Sequence, residues 1–186
     1  LDEAFAGQPD IEIPALRSLL RTYLDLVGLP GIELKLFLRR DLFRRIIAGG
    51  FVNLSHINSR TIEIIWDDDD LWSMIARRVN KSEEFKGLVS DPNDTESVMS
   101  FLLPPQIDIG EKQSTSTQWI LNRVRDGNNV KPPRSVIDLM NDARAAQVRK
   151  ESRDERNIEI GQGPVLEAQS VKRAFSQLSE KRVQDT

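Results

Sequence analysis

The sequence predicts an α/β fold in which a partial parallel sheet comes first and an all-helical region follows. Two observations carry this expectation. The segments Ile32–Leu38 (IELKLFL) and Thr61–Trp66 (TIEIIW) read as strands, and each leads directly into a helix-forming segment. After Trp66 the apolar residues recur at helical spacing and no convincing strand follows. The same change of character divides the chain into an expected α/β domain, residues 1–90, and an expected helical domain, residues 91–186.

Taken in order, Leu1–Phe5 reads as the end of an earlier element, and Gly7, Pro9 and Asp10 read as a loop. Pro14 suits the first turn of a helix, where its missing N–H costs nothing. Leu16, Leu19, Leu20, Tyr23, Leu24 and Val27 follow at helical spacing until Gly28 and Pro30–Gly31. Ile32–Leu38 alternates and then turns fully apolar, which predicts a strand buried on both faces. Asp41 is placed to cap the next helix, which carries Leu42, Phe43, Ile46 and Ile47 and ends at Gly49–Gly50. Phe51–Arg60 reads as a connecting loop before the second strand. Asp67–Asp70 then opens a helix through Leu71, Met74, Ile75 and Val79.

In the second half, Thr95–Leu103 predicts a short amphipathic helix ended by Pro104–Pro105. Ile107–Ser116 reads as a polar loop, and Thr117–Arg125 as another helix stopped at Gly127. Pro132–Pro133 opens a long helix carrying Val136, Ile137, Met140 and Ala143. A final helix over Val165–Leu178 places Ala168, Val171, Phe175 and Leu178 on one stripe.

Composition narrows the function classes. The chain carries 26 Lys and Arg against 29 Asp and Glu, a formal net charge of −3, which gives no global attraction to nucleic acid. It has no Cys, which excludes a disulfide or thiolate-metal framework and fits a reducing, cytoplasmic compartment. No apolar run approaches the ~20 residues needed to span a bilayer, so no membrane partner is expected. His56 is the only histidine, which leaves no histidine-rich zinc site and no Cys–His nucleophile within the chain.

Four groups of residues have chemical potential. Asp2–Glu3 is an acidic pair of the kind that can hold Mg²⁺ and polarise a water; its plainer reading is a solvated pair at a loop start. Arg39 and Arg40 lie at the carboxyl end of the first predicted strand, where ligands bind in open α/β sheets and where an arginine can reach a γ-phosphate. They read equally well as surface arginines beside a capping Asp41. Arg134 sits in the first turn of its helix, where a cation costs roughly 0.3–1 kcal/mol, and so calls for a compensating phosphate or carboxylate. Asp67–Asp70 are best explained as capping and first-turn acids, because four consecutive carboxylates cannot all converge on one ion.

Together these stretches resemble bacterial P-loop ATPases related to the KAP and STAND NTPase classes. The likeness rests on LDEAF at Leu1–Phe5, FLRRDLF at Phe37–Phe43 and IEIIWDDDDLWSMIARRV at Ile62–Val79. It continues with PPRSVIDLMNDAR at Pro132–Arg144 and VLEAQSVKRAFSQLSEKR at Val165–Arg182. The resemblance implies a partial parallel sheet of a P-loop NTPase core followed by an all-helical, lid-like region. Asp2 and Glu3 would match the Walker B acidic pair, with Asp2 on the metal and Glu3 on the attacking water. Arg39 or Arg40 would be sensor-like, and Arg134 a sensor-2-like contact to nucleotide. The implied cofactors are Mg²⁺ and ATP, and the implied partner is the remainder of the chain's own ATPase core, working as a regulatory or defence switch.

One departure is large: no G-x-x-x-x-G-K-[ST] sequence occurs. Together with Leu1 in place of an initiator Met, this leads to the expectation of a piece running from Walker B onward, inactive alone and holding neither cofactor tightly. Two rival readings stay open. One is a non-enzymatic interaction module that docks a protein partner through the charge-rich helices from Pro132 onward. The other is a helical nucleic-acid-binding domain, which the acidic balance disfavours.

Overall fold

The computed structural model describes residues 8–127, 129–153 and 164–184. Among them all regular secondary structure is α-helical: α1 (Pro9–Leu26), α2 (Arg40–Ala48), α3 (Leu54–Asn58), α4 (Asp68–Val79), α5 (Glu83–Leu88), α6 (Thr95–Leu102), α7 (Ser116–Val124), α8 (Pro133–Glu151) and α9 (Ala168–Gln184).

The expected α/β fold with a parallel sheet is therefore overturned. No strand forms among the described residues, and the backbone of residues 33–38 and 62–66 joins no backbone hydrogen bond. β-propensity reports fit to a pleated, half-buried surface. Without neighbouring strands that surface does not exist, and even a two-stranded element is marginal in water. The side chains expected inside a sheet stay in solvent: Phe37 is 81% exposed and Ile62 90%, with Ile64 and Ile65 also exposed.

The chain divides into two compact units, Leu1–Ile64 and Ile65–Thr186. The division falls within the second strand-like segment. The boundary expected at residue 90 lies inside the second unit, between α5 and α6.

In the first unit, α1 begins at Pro9 rather than Pro14: Pro9 fits the opening position, and Pro14 lies inside the helix, where its missing N–H costs one intrahelical hydrogen bond. Leu16 and Leu20 of α1 meet Leu42 and Ile46 of α2 and Ile57 of α3 in a small core. Two polar ties join α1 to α2. Arg45 donates to the Glu12 carboxylate at 2.8 Å, which compensates a carboxylate only 8% exposed. Arg17 donates through Nε and Nη2 to the Ile46 carbonyl, at 3.1 and 2.9 Å, satisfying a group that the helix end leaves without an intrahelical partner.

Gly49 makes room for that guanidinium, since a Cβ there would lie 2.3 Å from Arg17 Nη2. Gly49→Ala should expel the Arg17 head from the Ile46 carbonyl and cost about 1 kcal/mol. Arg17→Met should cost a similar amount. Because both changes remove the same contact, the double variant should be little worse than either single one, as read by urea unfolding.

In the second unit, α8 and α9 form the principal helix pair, α4 packs on α6 and α8, and α7 packs on α8. Leu71, Val98, Ile120, Val124, Val136, Leu139 and Val171 are buried at their centre. Helix starts are fixed by side chains: Asp67, Ser82, Asp94 and Thr115 accept from the backbone N–H groups of Asp70, Phe85, Ser97 and Gln118. The backbone N–H groups of Val165 and Leu166 donate to the Phe101 and Leu102 carbonyls, each at 2.9 Å, and so close the C-terminal end of α6. The expected polar loop before α7 is anchored by Ile107, which is buried in this core. Among the described residues no helix is long and apolar enough to cross a membrane.

Candidate functional site

The predicted acidic pair, Asp2 and Glu3, including the proposed metal ligand Asp2, lies outside the described residues. Among the described residues no group of three or more His, Asp or Glu side chains is placed to hold a metal ion.

Arg39 and Arg40 stand together at the start of α2. Arg39 is the N-cap residue, with an extended backbone that precedes the first helical turn. Its Nε and Nη2 donate to the two carboxylate oxygens of Asp41, at 3.1 and 2.9 Å. Asp41 therefore occupies the first turn rather than capping it, and no side-chain cap bond forms at α2. Partial burial pushes the Asp41 carboxyl up. The Arg39 hydrogen bond and charge, with the backbone N–H groups of Asp41 and Leu42, outweigh that and hold it below its ordinary value. Arg40 reaches the Glu63 carboxylate at 2.7 Å. Both arginines of the predicted phosphate-facing pair thus have carboxylate partners within the first unit.

Arg134 belongs to the second unit and occupies the first turn of α8. Its side chain is 92% exposed, and its Nε lies 3.6 Å from an Asp138 oxygen one turn along. That ion pair is long and solvated, so it offsets little of the helix-dipole cost.

Asp67–Asp70 behave as expected of acids at a helix start. Asp67 Oδ1 accepts the Asp70 backbone N–H at 2.7 Å, and Asp70 Oδ2 accepts the Asp67 backbone N–H at 3.4 Å, a reciprocal capping box. Asp68 pairs with Lys131. His56, exposed on α3, lines a shallow pocket with Leu24, Val27, Asn53 and Arg60.

Sequence reasoning missed a polar cluster centred on Asp108, in the segment read as a polar loop. Asp108 accepts the Trp119 indole N–H and the Lys172 ammonium, each at 2.6 Å, and Arg123 stands 3.6 Å away. The Arg123 guanidinium lies over the Trp119 ring at 3.8 Å, and Phe175 meets the ring edge-on at 5.7 Å. One carboxylate thereby joins α7 to α9. No local pattern announces it, because Lys172 is remote in sequence.

The Lys172 hydrogen bond, then the Trp119 hydrogen bond, holds the Asp108 carboxyl below its ordinary value, helped by the Lys172 and Arg123 charges and opposed by desolvation. A depressed folded-state pKa contributes stability that is complete above the unfolded value of about 3.9 and is lost as pH falls through the folded value. Asp108→Asn should therefore lower Tm at neutral pH. The gap from the parent should hold down to about pH 5 and close as pH drops below about 4. A gap that stays constant down to acid pH would show that the carboxylate charge contributes nothing.

No protein family, no characterised protein and no solved structure matches the chain.

Proposed function

We propose that the chain works as a component of a bacterial, cytoplasmic P-loop ATPase, together with a polypeptide that carries the phosphate-binding loop, and does not turn over ATP alone. The supporting observation is the state of residues 32–38 and 62–66. Both are rich in apolar side chains left exposed, both continue directly into a helix, and apart from the Ile32 N–H, which donates to the Leu29 carbonyl at 3.4 Å, neither joins a backbone hydrogen bond. Exposed aliphatic side chains beside unpaired backbone leave a surface that another polypeptide can cover. In the assembled protein Asp2 and Glu3 would serve Mg²⁺ and the attacking water, and Arg39, Arg40 and Arg134 would face phosphate. The carboxylates now beside the three arginines are solvent-exposed partners of modest strength, which a phosphate could displace.

The chain alone should give no saturable signal with a fluorescent ATP analogue. Co-expressed with a polypeptide that carries a phosphate-binding loop, it should bind the analogue, and residues 32–38 and 62–66 should gain protection from hydrogen exchange. Arg134→Ala should then weaken binding about tenfold. Assembly without new protection in these segments would end the proposal, and unchanged binding by the variant would remove Arg134 from it. A second reading, a non-enzymatic module that docks a protein through α8 and α9, draws support from the intrachain pairing of Arg39 and Arg40. It requires a complex whose formation and stability ignore nucleotide.

A further inference from the structure

Residues 32–36 carry alternating side chains of a special kind. Ile32, Leu34 and Leu36 are exposed apolar residues, and between them Glu33 and Lys35 bear opposite charges in solvent, 3.3 Å apart. The Ile32 N–H already donates to the Leu29 carbonyl at 3.4 Å, whereas the N–H and C=O groups of Glu33 and Lys35 join no backbone hydrogen bond. In extended backbone those free groups project from one edge, and the apolar side chains share one face.

We propose that the chain by itself pairs with a second copy through residues 32–36, as an antiparallel ribbon with Leu34 on the two-fold axis. The inference concerns the chain in isolation and stands whether or not the ATPase reading holds; a P-loop partner would compete for the same edge. Charge selects the register. A two-fold axis normal to the ribbon passes through one residue, which lies opposite itself. Centring on Glu33 or Lys35 sets like charges face to face, which is destabilising. Centring on Leu36 sets Lys35 against Phe37 and Glu33 against Arg39, whose guanidinium is already held at two points by Asp41. Centring on Leu34 sets Glu33 against Lys35 of the second copy and Lys35 against its Glu33, with Ile32 against Leu36 on the apolar face. The free edge makes Glu33 and Lys35 the hydrogen-bonded pairs. Leu34 then forms a non-hydrogen-bonded pair with its counterpart, with Cα atoms about 4.5 Å apart.

That separation is within disulfide reach, and the chain has no cysteine of its own. Leu34→Cys should oxidise to a covalent dimer much faster than Leu36→Cys. In sedimentation of the uncrosslinked protein, Glu33→Lys or Lys35→Glu should each weaken the dimer about tenfold, and the double exchange should restore it. These positions are exposed, and an unchanged helical circular dichroism spectrum checks that folding is intact. A mass that remains monomeric up to ~1 mM protein, equal crosslinking at both cysteines, or charge reversals without effect would each overturn the proposal.

Discussion

Trp119→Ala should destabilise the second unit by about 3–5 kcal/mol, the largest loss expected from any single change considered. Trp119 is buried, and its removal acts in three ways. The indole leaves a cavity beside Phe175, which loses its edge-on partner. Asp108 loses the indole N–H that donates at 2.6 Å. Arg123 loses the ring beneath its guanidinium. Trp119→Phe separates these contributions, because it keeps a ring in the cavity but no N–H donor. It should cost about 2–3 kcal/mol, near the value of one hydrogen bond to a charged acceptor plus a smaller cavity. Urea unfolding followed by circular dichroism checks both values. A loss below about 1 kcal/mol for Trp119→Ala would mean that α7 is held to α9 by other contacts.

How much of this was legible in the sequence differs by element. The helix α4 was readable because its signals are local: Asp67 caps, Asp70 reciprocates, and Leu71 and Ile75 recur at helical spacing. The start of α8 was readable from Pro132–Pro133 for the same reason. The short helices α3 and α5 span less than two turns, too little for periodicity to appear. The sheet was misread because apolar alternation in residues 32–38 and 61–66 states a capacity for pairing, and pairing needs a neighbour that the described residues do not provide. Of the candidate site, the anomaly of cations at helix starts was visible. The carboxylates beside these cations were only partly so: Asp41 and Asp138 are close in sequence, but Glu63 reaches Arg40 through the fold. Asp108 was hidden by its surroundings, since a lone acid in a polar stretch carries no sign of a partner on a distant helix.

Gln147 is a case where the pattern did hold a signal. It occupies the slot after Val136, Met140 and Ala143 on α8, so an amide sits where the stripe calls for an apolar residue. The fold shows why. Gln147 is buried, and its side-chain oxygen accepts the Glu167 backbone N–H at 3.1 Å and the Ser170 hydroxyl at 2.7 Å. Its amide nitrogen donates to Glu151 at 3.0 Å and to Glu167 at 3.3 Å. One side chain thus receives the start of α9 onto α8. Gln147→Leu, although close in volume and more apolar, should destabilise the second unit by about 2–4 kcal/mol, because it deprives two polar groups of their acceptor. The decisive comparison is the double-mutant cycle with Ser170→Ala. If the stranded Ser170 hydroxyl is the main cost, Ser170→Ala should recover about 1–2 kcal/mol in the Gln147→Leu background while costing about 1 kcal/mol in the parent. Strict additivity would place the cost in packing instead. Tolerance of Gln147→Leu without loss would mean that α9 docks through Val171, Ala174 and Leu178 alone, with the amide a passenger in the stripe.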